Sequence, residues 1–210
     1  MAKNTKISMP AIRRLPRYYR FLYDLKCNGI CRTSSRELSR RMGLTASQIR
    51  QDLNCFGDFG HQGYGYSVDQ LYDEIGRILG IGDPTDTILI GAGNLGKAVA
   101  NHMDFDTRGF HLVGVFDDAP ALIGQELHGH VIHTTDELEV ICGERKPAMA
   151  ILCIPKEAAP AIVKRLFTCG VRGFWNFSHY DICHDHPEAI VENVHMGDSL
   201  MTLSYRMNNP

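Results

Sequence analysis

Ile88-Leu89-Ile90-Gly91-Ala92-Gly93-Asn94-Leu95-Gly96 is an apolar run that passes straight into a G-x-G-x-x-G turn. A tight strand-to-helix turn requires a residue without a side chain at Gly91. Close approach of the backbone to a pyrophosphate requires one at Gly93, and close packing of helix on strand requires one at Gly96. The helix expected over 95–102 would aim its free N–H groups and positive dipole end at phosphates. Three glycines near a helix start also occur as plain turn chemistry, so the flanking sequence decides. Leu112-Val113-Gly114-Val115-Phe116 reads as a second strand and ends in Asp117 and Asp118, about 20 residues on, where a ribose-binding carboxylate is expected. A carboxylate accepts from both ribose hydroxyls and repels a 2′-phosphate, which favours NAD(H) over NADP(H).

Downstream, apolar runs alternate with helical patterns. A short strand is expected over 130–134, then a helix from Thr135 toward Cys142. The run 148–154, bounded by Pro147 and Pro155, suits a strand buried on both faces of a parallel sheet. A helix over 157–169 and a strand over 171–177 follow. Alternating strands and helices predict an α/β, doubly wound Rossmann-type domain, whose ligand lies at the carboxyl ends of the strands. That puts Pro155 and the segment Asn176-Phe177-Ser178 at the ligand edge.

The formal charge of -2 over 210 residues conceals an asymmetry. Residues 1–60 carry 12 Lys and Arg against 4 Asp and Glu, a net +8, and the remaining 150 residues carry 10 against 20, a net -10. Two domains with two tasks are expected, the basic one facing a polyanion. Residues 1–9 hold no apolar leader, and no run approaches the ~18 apolar residues of a membrane span. A soluble, cytoplasmic protein with no membrane partner is expected. The 7 cysteines are scattered without a C-x-x-C pair, as suits reduced thiols.

Within the basic segment, a helical pattern enters through Pro10, and after Leu15-Pro16 a stronger one runs from 17 to 27, stopped by Gly29. Ser34-x-x-Glu37 and Thr45-x-x-Gln48 are capping boxes for two short helices separated by Gly43-Leu44-Thr45. This is a helix-turn-helix. The second helix turns Ile49, Leu53 and Phe56 inward and presents Ser47, Gln48, Arg50, Gln51 and Asn54 outward. Arg suits guanine, Gln and Asn suit adenine, and Ser suits phosphate. A solvated helix face gives the same pattern, but the +8 charge and the next segment favour DNA. Gly60-His61-Gln62-Gly63-Tyr64-Gly65-Tyr66 reads as a β-hairpin directly after the recognition helix, which makes it a wing. An amphipathic helix over 68–79 leads to a boundary at 80–84.

The final element, expected over 197–207, carries Leu200, Leu203 and Met207 on one stripe. It packs on its own domain or on a second subunit, and the dimeric habit of helix-turn-helix proteins on palindromic DNA favours the second subunit. No metal is expected: Cys183-His184-Asp185-His186 with His179, and His128, His130 and His133, lack a recurring ligand spacing. Cys27 and Cys31 are expected in packing roles. Hydride-transfer catalysis calls for a second substrate domain, and the room outside the nucleotide fold is taken by the basic domain and one helix. A sensor, without catalytic residues, is expected rather than an enzyme.

Several motifs together resemble the redox-sensing transcriptional repressor family called Rex. They are Arg14-Leu15-Pro16-Arg17-Tyr18-Tyr19-Arg20, Ser34-Ser35-x-Glu37-Leu38, Gln48-Ile49-Arg50-Gln51-Asp52-Leu53 with Phe56-Gly57, and Gly63-Tyr64-Gly65-Tyr66. To these add the Gly91–Gly96 turn, Asn176-Phe177 and Leu203-Ser204-Tyr205. The resemblance runs essentially end to end. It implies a homodimer with a winged-helix DNA-binding domain over 1–80, a Rossmann-type NAD(H)-binding domain over 81–195, and a C-terminal helix over 196–210 exchanged between subunits. It further implies repression of fermentative or anaerobic genes at palindromic operators when NAD⁺ is high, and release by NADH. Arg14, Ser47, Gln48, Arg50, Gln51, Asn54, His61, Gly63 and Tyr64 would then serve DNA. Gly91, Ala92, Gly93, Asn94, Leu95, Gly96, Asp117, Pro155, Asn176 and Phe177 would serve the cofactor.

The chain also departs from that family. A Tyr after the glycine turn and an Asp before the last helix are usual, and a contact between them serves the switch; His102 and His195 stand at those positions. The family's Asn-Phe-Ala-Pro turn is Asn176-Phe177-Ser178-His179, and its basic residue after the first recognition-helix Arg is Gln51. Two imidazoles cannot form a Tyr–Asp bond, but they titrate near neutral pH. Two alternatives stay open: a winged-helix regulator sensing another nucleotide such as coenzyme A, and a small NAD-dependent oxidoreductase with a basic appendage.

Overall fold

A computed structural model of the chain describes residues 8–55, 60–61 and 65–209, leaving aside the side chains of 60 and 61. The chain divides into two units, Met1–Gly82 and Asp83–Pro210. The first opens with helix α1 (Met9–Cys27), a single helix where a break at Leu15-Pro16 was expected, with Pro16 inside it. Proline removes one intrahelical donor. Here it lies on the exposed side, while Ala11, Leu15, Tyr18, Leu22 and Leu25 form a buried stripe that runs uninterrupted past it. Tertiary packing of that stripe, rather than local propensity, carries the helix through.

Strand β1 (Arg32–Thr33) leads into α2 (Ser35–Met42) and α3 (Ala46–Asn54). The Ser34 and Thr45 hydroxyls accept the Glu37 and Gln48 N–H at 3.2 and 3.1 Å, and Gly43 stops α2 at φ 62°. The helix-turn-helix therefore begins, turns and restarts where its capping chemistry dictates. Strands β2 (Gly60–His61) and β3 (Gly65–Ser67) pair antiparallel, and β1 adds to β3, giving the order β1-β3-β2. Sequence periodicity had no means of finding β1, because two residues carry no alternation. Phe56, Gly63 and Tyr64 lie outside the described residues. Helix α4 (Val68–Ile78) closes the unit, burying Val68, Leu71 and Ile75 against Leu15, Leu22, Ile49 and Leu53.

The second unit alternates β4 (Thr85–Ile90), α5 (Asn94–His102) and β5 (Phe110–Phe116), then β6 (Glu126–Leu127), β7 (His130–His133) and α6 (Leu138–Arg145). It continues through β8 (Met149–Leu152), α7 (Ala159–Thr168), β9 (Gly173–Asn176), α8 (Ile182–Asp185) and β10 (Ile190–Asn193) to α9 (Met196–Asn208). Among the described residues these form a seven-stranded sheet in the order β10-β9-β8-β4-β5-β7-β6. Every pairing is parallel except β6 on β7, an edge hairpin of two residues that the sequence reading did not anticipate. The chain winds outward from β4 to β7, then returns to start again at β8 on the other side of β4. The order therefore reverses between β4 and β8, where an open α/β sheet opens its ligand crevice. Both central strands are buried along most of their length, which is why they read as continuous apolar runs. No described helix is long and apolar enough to cross a membrane.

One buried charge ties α3 to α1. Asp52, 2% exposed, accepts from Arg14 Nε and Nη2, both at 2.6 Å, from the Tyr18 hydroxyl at 2.8 Å and from Gln48 Nε2 at 2.9 Å. Burial by itself pushes the Asp52 carboxyl up, but the bonds from Arg14, Gln48 and Tyr18 outweigh it and hold the group below the usual carboxylate range. Burial and the bond to Asp52 push the Tyr18 phenol up, so it remains a donor at any physiological pH. Replacing Asp52 with Asn should destabilise the first unit by about 1–3 kcal/mol. The value falls between the exposed-pair and buried-pair ranges because the Arg14 side chain retains contact with water. Because the folded value is depressed, this stabilisation is present above the unfolded Asp value of about 3.9 and is lost as pH falls through the folded one. Denaturant melts of the full chain should therefore show the gap between wild type and Asp52→Asn closing below about pH 4.

Candidate functional site

The turn between β4 and α5 is set by close contacts of backbone with backbone. Gly91 adopts φ +93°, and a Cβ there would lie 2.4 Å from the Cys153 carbonyl oxygen. A Cβ on Gly96 would lie 1.8 Å from the Gly91 oxygen. Neither glycine can carry a side chain. Gly93 differs: it is exposed, and nothing lies within 4 Å of where its Cβ would be. Two glycines are thus required by the fold, and the third leaves an open surface on the turn.

Beside that surface, α5 begins on Gly93 as its N-cap, and no side chain caps its first N–H groups. Uncapped donors at a helix N-terminus, together with its positive dipole end, bind phosphate oxygens. The cradle fits a dinucleotide pyrophosphate: donors face an open space that a side chain on Gly93 would fill. Asn94 is exposed at the mouth, Leu95 is half-buried with its side chain against the core, and Ala92 is fully buried, so Ala92 can contribute backbone only.

Asp117, just beyond the end of β5, turns its carboxylate onto the loop. Oδ2 accepts the Ala92 N–H at 2.7 Å and Oδ1 accepts the Ala119 N–H at 2.8 Å. Each oxygen retains a further acceptor position, so Asp117 both clamps the turn and can receive a ribose hydroxyl. Asp118 is committed to the scaffold, accepting from the N–H and hydroxyl of Thr135. Pro155 is exposed in the loop after β8, across the sheet reversal from the turn. Cys153 sits against Gly96, and burial pushes its thiol up to about 12, so it remains protonated and is no nucleophile at neutral pH.

Asn176 lies at the same edge but spends its amide on the chain. Nδ2 donates to the Tyr180 carbonyl and to Asn193 Oδ1, and Oδ1 accepts the N–H and hydroxyl of Ser178. With two donors and two acceptor positions filled, it shapes the loop after β9. Phe177, half-buried against Trp175, is the better candidate there for contact with a ring.

In the first unit, Ser47, Arg50, Gln51 and Asn54 of α3 are exposed on one face, and Arg50 Nη1 donates to the Ser35 hydroxyl at 3.1 Å. Arg14 and Gln48, expected at the DNA, are both held by Asp52. Asp52 itself was missed by the sequence reading; its signal was a single acid between outward and inward positions of an otherwise uncharged or basic helix. His61 falls in β2 of the hairpin. Of the two histidines expected at the switch, His102 ends α5 and is exposed, while His195 is the N-cap of α9 and bonds to His179. No described group of three or more His, Cys, Asp or Glu side chains is placed to hold a metal ion.

The contrast among the glycines is directly testable. Gly96→Ala should cost on the order of 1–3 kcal/mol or more in thermal stability, because its neighbour is rigid backbone. Gly93→Ala should melt close to wild type yet bind NADH about tenfold or more weakly, a loss of roughly 1.4 kcal/mol. Wild-type NADH affinity in Gly93→Ala, by calorimetry, would move the pyrophosphate off this turn.

Comparison with known proteins places both units. Residues 6–54 match a domain family described as putative DNA-binding protein N-terminus, and residues 83–180 match a CoA binding domain. A redox-sensing transcriptional repressor Rex from Thermoanaerobacter pseudethanolicus is 50% identical over 208 residues, 99% of this chain and 92% of the relative. Its counterpart from Clostridium novyi is 47% identical over 99% of both chains. The crystal structure of the repressor RSP in complex with NAD⁺ and operator DNA superposes with a TM-score of 0.88 at 47% identity, covering 98% of this chain and 94% of that one. RSP in complex with NADH gives 0.87 at 45% identity, covering 98% and 96%. These relatives are regulators, which sets aside the oxidoreductase alternative. With near-half identity over the full length of both units, the chain belongs to the Rex family of redox-sensing transcriptional repressors.

Proposed function

We propose that this protein is an NAD(H)-responsive repressor that binds palindromic operator DNA as a homodimer and leaves it when NADH binds. The observation that carries this reading is that one chain holds both halves of a switch: an uncapped, open glycine turn and an exposed recognition face on α3. Residues 1–80 are the reader, 81–195 the sensor and 196–210 an arm exchanged between subunits. A protein acting on operator DNA works in the cytoplasm.

Ser47, Arg50, Gln51 and Asn54 reach the major groove, and His61, Gly63 and Tyr64 are further candidates for DNA contact. Gln48 and Arg14 act through Asp52, fixing the helix rather than reading bases. Gly91 to Gly96 and Asp117 hold pyrophosphate and ribose, which are common to NAD⁺ and NADH. Discrimination therefore falls to the nicotinamide end, near Pro155 and Phe177. A ligand shifts a two-state protein only by its differential affinity for the two states. His102 and His195 stand where the switch contact is expected.

The match of residues 83–180 to a CoA binding domain favours one further reading, in which coenzyme A is the effector. Mobility shifts on DNA carrying a relative's operator distinguish the readings. NADH should weaken binding at least tenfold and NAD⁺ should not; equal affinity with both forms overturns redox sensing, and release by coenzyme A alone supports the second reading. Arg50→Ala should weaken DNA binding on the order of tenfold, within the range of one lost bidentate base contact.

A further inference from the structure

Arg50 is exposed on the outer face of α3, yet its guanidinium is tethered. Nη1 donates to the Ser35 hydroxyl at 3.1 Å, 15 residues back, in the first turn of α2. Ser35 is not the cap of that helix: its neighbour Ser34 accepts the Glu37 N–H on its hydroxyl and the Leu38 N–H on its carbonyl. The half-buried Ser35 hydroxyl is left for Arg50. We infer that Ser35 is a positioning residue for Arg50, fixing the guanidinium so that α3 discriminates one base pair of the operator. This rests on the reading of α3 as the element that reads DNA.

The hydroxyl is a fixed point because its surroundings are tied on two sides. Thr33 of β1 pairs with Tyr66 of β3, and a Cβ on Gly65 would lie 2.4 Å from the Thr33 carbonyl oxygen. The chain entering α2 is thus held against β3. At the other end of α2, the Ser39 hydroxyl donates to the Leu44 carbonyl at 2.7 Å and closes the turn into α3. Tyr66 is near enough for the Arg50 charge to act on it. Burial pushes its phenol up and the guanidinium works against that rise, so the ring is uncharged at neutral pH and exerts no ionic pull on Arg50.

A guanidinium has five N–H donors. The Ser35 bond takes one on Nη1 and leaves the Nε–Nη2 edge, a pair of parallel donors that matches O6 and N7 of guanine. An arginine without a tether swings among phosphates and base edges, and each orientation favours a different acceptor. Holding one orientation before contact reduces the rotamer freedom lost on binding and confines the strong contact to guanine. The tether therefore acts on selectivity. The positive charge that draws in the phosphate backbone is the same with or without it.

Mobility shifts with the full chain test this on a relative's operator and on copies in which single G·C pairs are replaced by A·T. The pair read by Arg50 is the one whose replacement weakens wild type but leaves Arg50→Ala unchanged. At that pair the penalty should shrink about threefold or more in Ser35→Ala and return in Ser35→Thr, which keeps the hydroxyl. Affinity of Ser35→Ala for random DNA should stay within about twofold of wild type. Its melting temperature should not fall, because Ser34 supplies the cap. A full penalty in Ser35→Ala overturns the proposal. An equal loss on every sequence, random DNA included, also overturns it by placing the hydroxyl on a phosphate, and so does the lack of any pair whose penalty depends on Arg50. Arginine side-chain NMR on the DNA-free protein decides the tether: an ordered Arg50 Nε–H that turns mobile in Ser35→Ala supports it, and equal mobility in both overturns it. If the chain binds no operator at all, the DNA reading has failed and the specificity role falls with it.

Discussion

At the head of α5 the Gly91 carbonyl occupies the place that a side chain on Gly96 would need, and the ligand edge of the second unit depends on that contact. It draws the first turn of the helix against the end of β4, and Gly91 abuts the end of β8 at the Cys153 carbonyl. The topology reverses between those two strands, so the turn sits in the crevice that the sheet order creates. Asp117 then fixes the loop from the β5 side through the Ala92 N–H. The result is a rigid rim with an open centre at Gly93. Rigidity there serves a sensor, because a rim that reshaped itself around either cofactor form would lose the difference between them.

The first unit is organised by the opposite device, a buried charge. A net of +8 over its first 60 residues draws in a polyanion and also repels itself. Asp52 turns part of that charge to structural use, gathering Arg14, Gln48 and Tyr18 around one carboxylate and locking α3 to α1. The exposed face of α3 is thereby held in one orientation. Reading base edges, the role proposed for this face, needs such a fixed orientation, since bidentate contacts tolerate little misplacement.

The legible features were those with a local physical cause. The capping boxes, the stop at Gly43, the glycine turn and the apolar β4 and β8 each follow from neighbours a few residues away. The features that escaped depend on distant partners. Pro16 suggested a break in α1 because proline is locally disruptive, whereas the buried stripe from Ala11 to Leu25 overrides it. Arg14 and Gln48 looked like free polar groups because nothing in a linear pattern says that a carboxylate lies 38 residues from one and four from the other. Asn176 looked like a ligand contact, and only the fold supplies Asn193 and the Tyr180 carbonyl to its amide.

The sequence by itself determined the two-unit plan, the α/β class of the second unit, the helix-turn-helix and the position of the glycine turn. Helix caps, turns and apolar periodicity are local and one-dimensional, which is why they survive in the bare chain. The tertiary structure decided which polar groups face outward and which are spent inside. It assigned Asp117 to the loop, Asp118 to Thr135, Asp52 to Arg14, and His195 to His179 rather than leaving it alone. A hydrogen bond between residues far apart in the chain is fixed by how strands and helices stack, and that stacking is a sum over the whole core rather than a property of any one stretch.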